Sequence, residues 1–202
     1  MNQTELTDIL GNLQDMYNNV QILYNAHAKG NQELTDLANM TGYLLWNYTK
    51  SLITLKHFQN AAIRWEQDFS IGELCVVINE CTKKIIGFRT GDTRKKSLWI
   101  GQIGRYITRY LELTQEYNSL KERWISYADN NDIQMTIKDI RNITIHGGEK
   151  LDELIKLHDT PTSDIINYLD IWGKLMWPTA NLLFTCFENE CQQEINKRKL
   201  YI

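Results

Sequence analysis

An all-α bundle of five to seven helices is the fold this sequence predicts. Apolar residues recur three and four positions apart through nearly the whole chain. No stretch alternates apolar and polar residues with the period of two that a half-buried strand needs. Only 2 prolines interrupt 202 residues, and the 11 glycines are thinly spread, so nothing reads as a linker. That length predicts a single domain over 1–202, and 43% hydrophobic residues can fill a real core.

The first helix spans Thr4 to His27, with Leu6, Leu10, Leu13, Tyr17, Val20 and Tyr24 on one stripe. Lys29-Gly30-Asn31 breaks it. A second runs from about Gln32 to Trp65 through Leu34, Leu37, Leu44, Leu45, Leu52 and Leu55. Trp46 and Trp65 on it are expected as core or interface anchors. Ser70 with Glu73 three residues on forms a capping-box pattern, so a third helix is expected from Ser70 to near Gly87. A fourth starts at Asp92 or Thr93 and continues to about Tyr127 through Leu98, Ile103, Ile107, Leu113, Leu120 and Trp124. Gly101 and Gly104 within it can let another element approach closely. After a turn at Ala128–Asn131, a fifth helix starts near Asp132, buries Ile133, Ile137 and Ile140, and stops at Gly147-Gly148. A short helix from Glu149 to about Leu157 and a turn at His158–Pro161 follow. The last helix runs from about Ser163 to Lys199, with Pro178 inside.

The chain opens Met1-Asn2-Gln3-Thr4-Glu5, without the basic and apolar regions of a signal peptide, and no apolar run is long enough to cross a bilayer. A cytoplasmic protein with no membrane partner is expected. Cys75, Cys81, Cys186 and Cys191 include no Cys-x-x-Cys pair, so free, packed thiols are expected, with no structural zinc and no cofactor.

The net charge of -3 hides an asymmetry. Lys83, Lys84, Arg89, Arg94, Lys95, Lys96, Arg105 and Arg109 face one acid, Asp92, between positions 83 and 109. That segment carries +7 and the remainder -10. Such a stretch is either a solvated helix face or a surface for a polyanion. On the second reading Lys83, Lys84, Arg94, Lys95, Lys96, Arg105 and Arg109 are candidate RNA-binding residues.

The chemistry-bearing motif is Arg141-Asn142-Ile143-Thr144-Ile145-His146. Histidine moves protons near neutral pH, and arginine neutralises charge that builds on phosphate oxygens. Five residues of ideal helix put Arg141 and His146 about 140° apart, so they share no face. The β-branched run Ile143-Thr144-Ile145 and the glycines after it are expected to loosen the helix and let His146 turn toward Arg141. The bland reading is a histidine stabilised by the helix dipole beside a surface arginine. His158-Asp159 is a poor metal-hydrolase signal, with only His27 and His57 left as further histidines, and no Walker phosphate loop is present.

Arg141, Asn142 and His146 resemble the Arg-(four to six residues)-His signature of the HEPN superfamily, all-helical domains that include many endoribonucleases. The resemblance in residues covers about Asp139 to Glu149. It implies a HEPN-like fold and a two-fold homodimer that brings two motifs into one cleft. It further implies metal-independent cleavage of RNA through the ribose 2′-OH, as a toxin or defence effector restrained by an antitoxin or regulatory protein. Arg141, Asn142 and His146 would be catalytic. HEPN toxins paired with a nucleotidyltransferase antitoxin carry a tyrosine two residues after the histidine; Gly148 stands there, so silencing by tyrosine modification is not implied. The alternative function is a non-catalytic helical module that binds a protein partner.

Overall fold

The structure, a computed structural model, describes residues 3–87, 94–146 and 150–199. Among these residues there is no strand. Helix α1 (Gln3–Leu23) ends in a wide π-helical turn at Tyr24–Ala28, and Gly30, at φ +91°, completes the break. Asn31 then caps α2 (Gln32–Asn60), its side chain accepting from Leu34 N–H at 3.3 Å.

Helix α3 (Arg64–Ile85) starts six residues before Ser70, which corrects the expected capping box. Ser70 is buried inside the helix. The turn ahead of the helix is closed by Glu66, whose Oε2 accepts from Ala62 N–H at 2.7 Å. Glu73 lies 3.7 Å from Lys50. Gly87, at φ +72°, ends α3 in a left-handed conformation near where the sequence places its end, its N–H donating to Lys83 O at 3.0 Å.

The expected helix to Tyr127 is divided, and its start at Asp92 or Thr93 lies outside the described residues. A π-helical turn at Leu98–Ile103 leads into a four-residue α4 (Gly104–Ile107), and α5 (Leu111–Ala128) follows. Two glycines in this stretch permit close approach. A Cβ on Gly101 would stand 2.2 Å from Lys95 O, and one on Gly104 would stand 2.7 Å from the Tyr117 hydroxyl, which donates to Trp99 O at 2.9 Å. Helix α6 (Asn131–His146), α7 (Leu151–Asp159) and α8 (Thr162–Lys199) complete the chain, and α8 continues through Pro178. The described residues thus hold eight α-helices, above the expected five to seven, because one long periodic stretch forms two. The stop at Gly147-Gly148 and the start at Glu149 lie outside them.

Helix α2 packs on α1, α3 and α8, while α6 lies on α3 and α5 on α8. The buried side chains make one cluster that draws on α1 to α6 and α8, with Leu157 of α7 at its edge. Trp99, Trp124 and Trp172 are its largest members. Trp46 and Trp65 are not core residues: 65% and 63% of their surface is exposed. Cys75, Cys81, Cys186 and Cys191 are free and buried, and burial pushes the Cys75 thiol up to about 12. No described helix is long and apolar enough to cross a membrane.

Trp124 Nε1 donates to Thr179 Oγ1 at 2.9 Å, whereas Trp172 Nε1, equally buried, has no acceptor among the described residues. Substitution by phenylalanine removes similar volume at both sites but a hydrogen bond only at the first. Trp124→Phe is therefore expected to cost about 1 kcal/mol more than Trp172→Phe in urea unfolding. Equal losses would contradict the hydrogen-bond assignment.

Candidate functional site

Helix α6 buries Ile133, Ile137, Ile140 and Ile143, a stripe that fixes its rotation against α3. The contact is close at Gly72, where a Cβ would lie 2.3 Å from Thr144 Oγ1 and 3.0 Å from its Cγ2. Thr144 thus marks the side of α6 that faces α3. Arg141 is three residues earlier, about 60° around the helix, so it also leans toward α3.

There it meets Glu80. Arg141 Nη2 and Nε both donate to Glu80 Oε1, at 2.7 and 3.1 Å, and Nη1 donates to Asn142 Oδ1 at 3.0 Å. The pair is partly solvated, with 26% of the Arg141 side chain and 44% of the Glu80 side chain exposed.

His146 is the last residue of α6, and the helix holds its hydrogen-bonded form up to that point. The expected loosening that would turn His146 toward Arg141 is not found. Packing of Ile143 and Thr144 keeps this β-branched run helical, an override of intrinsic propensity by tertiary contact. His146 points about 160° away from the α3-facing side, is exposed, and has no hydrogen bond or ion pair among the described residues. One protomer thus places Arg141 and Asn142 together and leaves His146 apart.

Three arginines of the basic stretch are answered by acids distant in sequence. Arg94 pairs with Asp129, Arg105 lies 3.8 Å from Asp36, and Arg109 lies 3.4 Å from Glu33 and 3.1 Å from Glu190. Lys84 Nζ sits 4.0 Å over the Tyr43 ring. Lys83, Lys95 and Lys96 are exposed with no ion pair among the described residues. Arg89 lies outside them. Among the described residues of the stretch, the charge is therefore divided between paired arginines and unpaired lysines.

Two groups escaped the sequence reading. Glu80 carries no motif, and only the α3–α6 packing brings it to Arg141. The second group centres on Asp68, which is buried, with Arg64 Nε at 2.8 Å and His158 Nδ1 at 2.8 Å. Arg64 also donates to His158 O at 2.6 Å. The four-residue spacing of Arg64 and Asp68 was a readable signal for that pair. His158 belongs to the last turn of α7, where the sequence suggested a turn. No group of three or more His, Cys, Asp or Glu among the described residues could hold a metal ion. No protein-family model, curated protein or solved structure matches this chain.

Proposed function

We propose that this protein is a metal-independent endoribonuclease of the HEPN type, a cytoplasmic toxin or defence effector held in check by a partner protein. The observation that carries the reading is the placement of His146. A histidine at a helix end, exposed and without a described partner, is free to exchange protons with a substrate. Arg141 and Asn142 stand together on the same helix, and Arg141 offers a planar, permanently charged donor set for phosphate oxygens.

In this reaction the ribose 2′ oxygen attacks the adjacent phosphorus and the bond to the 5′ oxygen breaks. One proton leaves the 2′-OH and another reaches the departing 5′ oxygen. His146 performs one of these transfers, Arg141 stabilises charge on the non-bridging oxygens, and Asn142 orients the phosphate. The products are a 2′,3′-cyclic phosphate and a 5′-hydroxyl. Because His146 and Arg141 diverge on one α6, a two-fold dimer supplies the complete site, each cleft drawing on both copies.

A second reading has its own observation. Arg141 is occupied by Glu80 and diverges from His146, as expected of a non-catalytic helical module that binds a protein partner. Total RNA incubated with the protein in EDTA separates the two. The nuclease reading predicts fragments ending in cyclic phosphate and no cleavage of DNA or 2′-O-methyl RNA. Intact RNA after prolonged incubation, with the protein folded and dimeric, leaves the module.

A further inference from the structure

The Arg141–Glu80 contact has an unusual form. A carboxylate that matches a guanidinium well offers its two oxygens to two parallel N–H groups. Here Nε and Nη2 of Arg141 converge on the single oxygen Oε1. With Nη1 bonded to Asn142, two of the five N–H groups of Arg141 have no acceptor among the described residues. The pair is also partly in solvent, where an ion pair contributes little.

The surroundings of Glu80 are cationic. Lys83 and Lys84 follow it by three and four residues on α3, so they lie on its face one turn on. Lys138 precedes Arg141 by three residues on α6 and is exposed with no ion pair among the described residues. Lys84 is steadied over Tyr43. Burial first, then the nearby Cys81 and Glu80, pushes the Tyr43 hydroxyl far above its ordinary range, so it adds no negative charge. Glu80 is thus bonded to one arginine, with two lysines a turn on along its own helix and a third a turn from that arginine along α6.

We propose that Arg141, Lys83, Lys84 and Lys138 form a phosphate-binding site for single-stranded RNA that Glu80 holds closed, its carboxylate standing where a phosphate group would sit. A phosphate presents two oxygens to the guanidinium edge that Glu80 meets with one, and its neighbours along a strand reach the lysines. Binding therefore begins by displacing an internal anion. Only the choice of RNA as the strand rests on the function proposed above; the anion site itself does not require His146.

The test uses a fluorescein-labelled 2′-O-methyl oligouridylate of about 12 nucleotides, which cannot be cut through its 2′ oxygen. Glu80→Gln is expected to bind it about fivefold more tightly than the unaltered protein at low salt, the scale of a partly exposed ion pair. Its log–log salt slope should steepen by about 0.7, one further single-strand phosphate. Glu80→Asp, which withdraws the charge from Arg141 without removing it, should show a smaller gain and gives a second route if the first variant melts early. Adding Arg141→Gln to either should abolish the gain. Glu116→Gln makes the same charge change on the exposed face of α5 and should show none. No gain in either Glu80 variant, a gain that survives Arg141→Gln, or an equal gain in Glu116→Gln overturns the proposal. Displacement of the probe by a nucleoside monophosphate as well as by unlabelled strand overturns the assignment to a strand. An unmodified oligouridylate run in parallel reads cleavage: a binding gain without any cleavage leaves the site standing and removes the nuclease reading.

Discussion

Alanine at His146 should lower cleavage of RNA at least about a hundredfold, the low end of what a positioned acid or base contributes. Its melting should stay within about 0.5 kcal/mol of the unaltered protein, because the side chain is exposed and holds nothing in place. On the same nuclease reading, Arg141→Ala should lose activity on the same scale, about 10²- to 10³-fold, through loss of the group proposed to meet charge on phosphate. It also releases Glu80, at a stability cost of about 0.2–1 kcal/mol for a half-exposed pair. The two inactive variants should partly restore one another when mixed and allowed to exchange subunits. On the dimeric nuclease reading proposed above, a mixed dimer would hold one intact Arg141 and one intact His146 in a single cleft. Single-turnover assays in EDTA decide these points. Full activity of His146→Ala would end the chemical reading, and absence of complementation would place each site within one copy.

Gly72→Val should be the most damaging change in the part of the core that positions the motif. The added Cβ would lie 2.3 Å from Thr144 Oγ1, 3.0 Å from Cγ2 and 3.2 Å from Cβ, so rotating the threonine side chain relieves only part of the collision. Thr144 Oγ1 is also committed to Ile140 O at 2.9 Å. The helices must separate, and valine should cost about 3 kcal/mol, the upper range for overpacking. For a chain of this size that is a fall in Tm of roughly 6–12 °C. Gly72→Ala should cost less, since alanine recovers up to about 1 kcal/mol of helix propensity. Thr144→Gly should rescue Gly72→Ala in part, which a double-mutant cycle by urea unfolding would register. Strict additivity would mean that the two residues do not define the α3–α6 joint.

Helix type and most helix positions were legible because a 3.6-residue stripe is written locally. The Ile133-Ile137-Ile140 stripe is an instance, buried as its spacing requires. The helix start at Arg64 was not legible, because no side chain at Ile63 caps it, whereas the buried Ser70 carries a capping pattern it does not use. Nor was the division at Thr108–Tyr110 legible, since no glycine or proline marks the turn that backbone bonds from Thr108, Arg109 and Tyr110 close. For the site, spacing gave the angular separation of Arg141 and His146, and the regular helix keeps it. The partners of charged groups escaped, because Glu80, Asp129 and Glu190 come to their arginines across 35 to 81 residues of chain. A basic segment read along the sequence thus becomes, in space, a set of ion pairs with a few lysines over.

Helix α7 is joined to the rest of the molecule in a different currency from its neighbours. It has no buried side chain. Apart from Leu157 at the edge of the core, its ties are polar: Lys156 to Asp139 at 2.6 Å, His158 to Asp68, and Arg64 to the His158 carbonyl. Apolar contact resists local opening, while exposed ion pairs and hydrogen bonds to solvent-facing groups resist it weakly. Of the helices longer than one turn, α7 is the one whose amides should exchange with deuterium first, and sooner still as salt is raised. It is the next described helix after α6 in the chain, so the helix expected to open first comes soon after His146 in sequence. The histidine end of the motif is therefore expected to neighbour, in sequence, a foldon of low protection, while its arginine end is moored to the α3–α6 core.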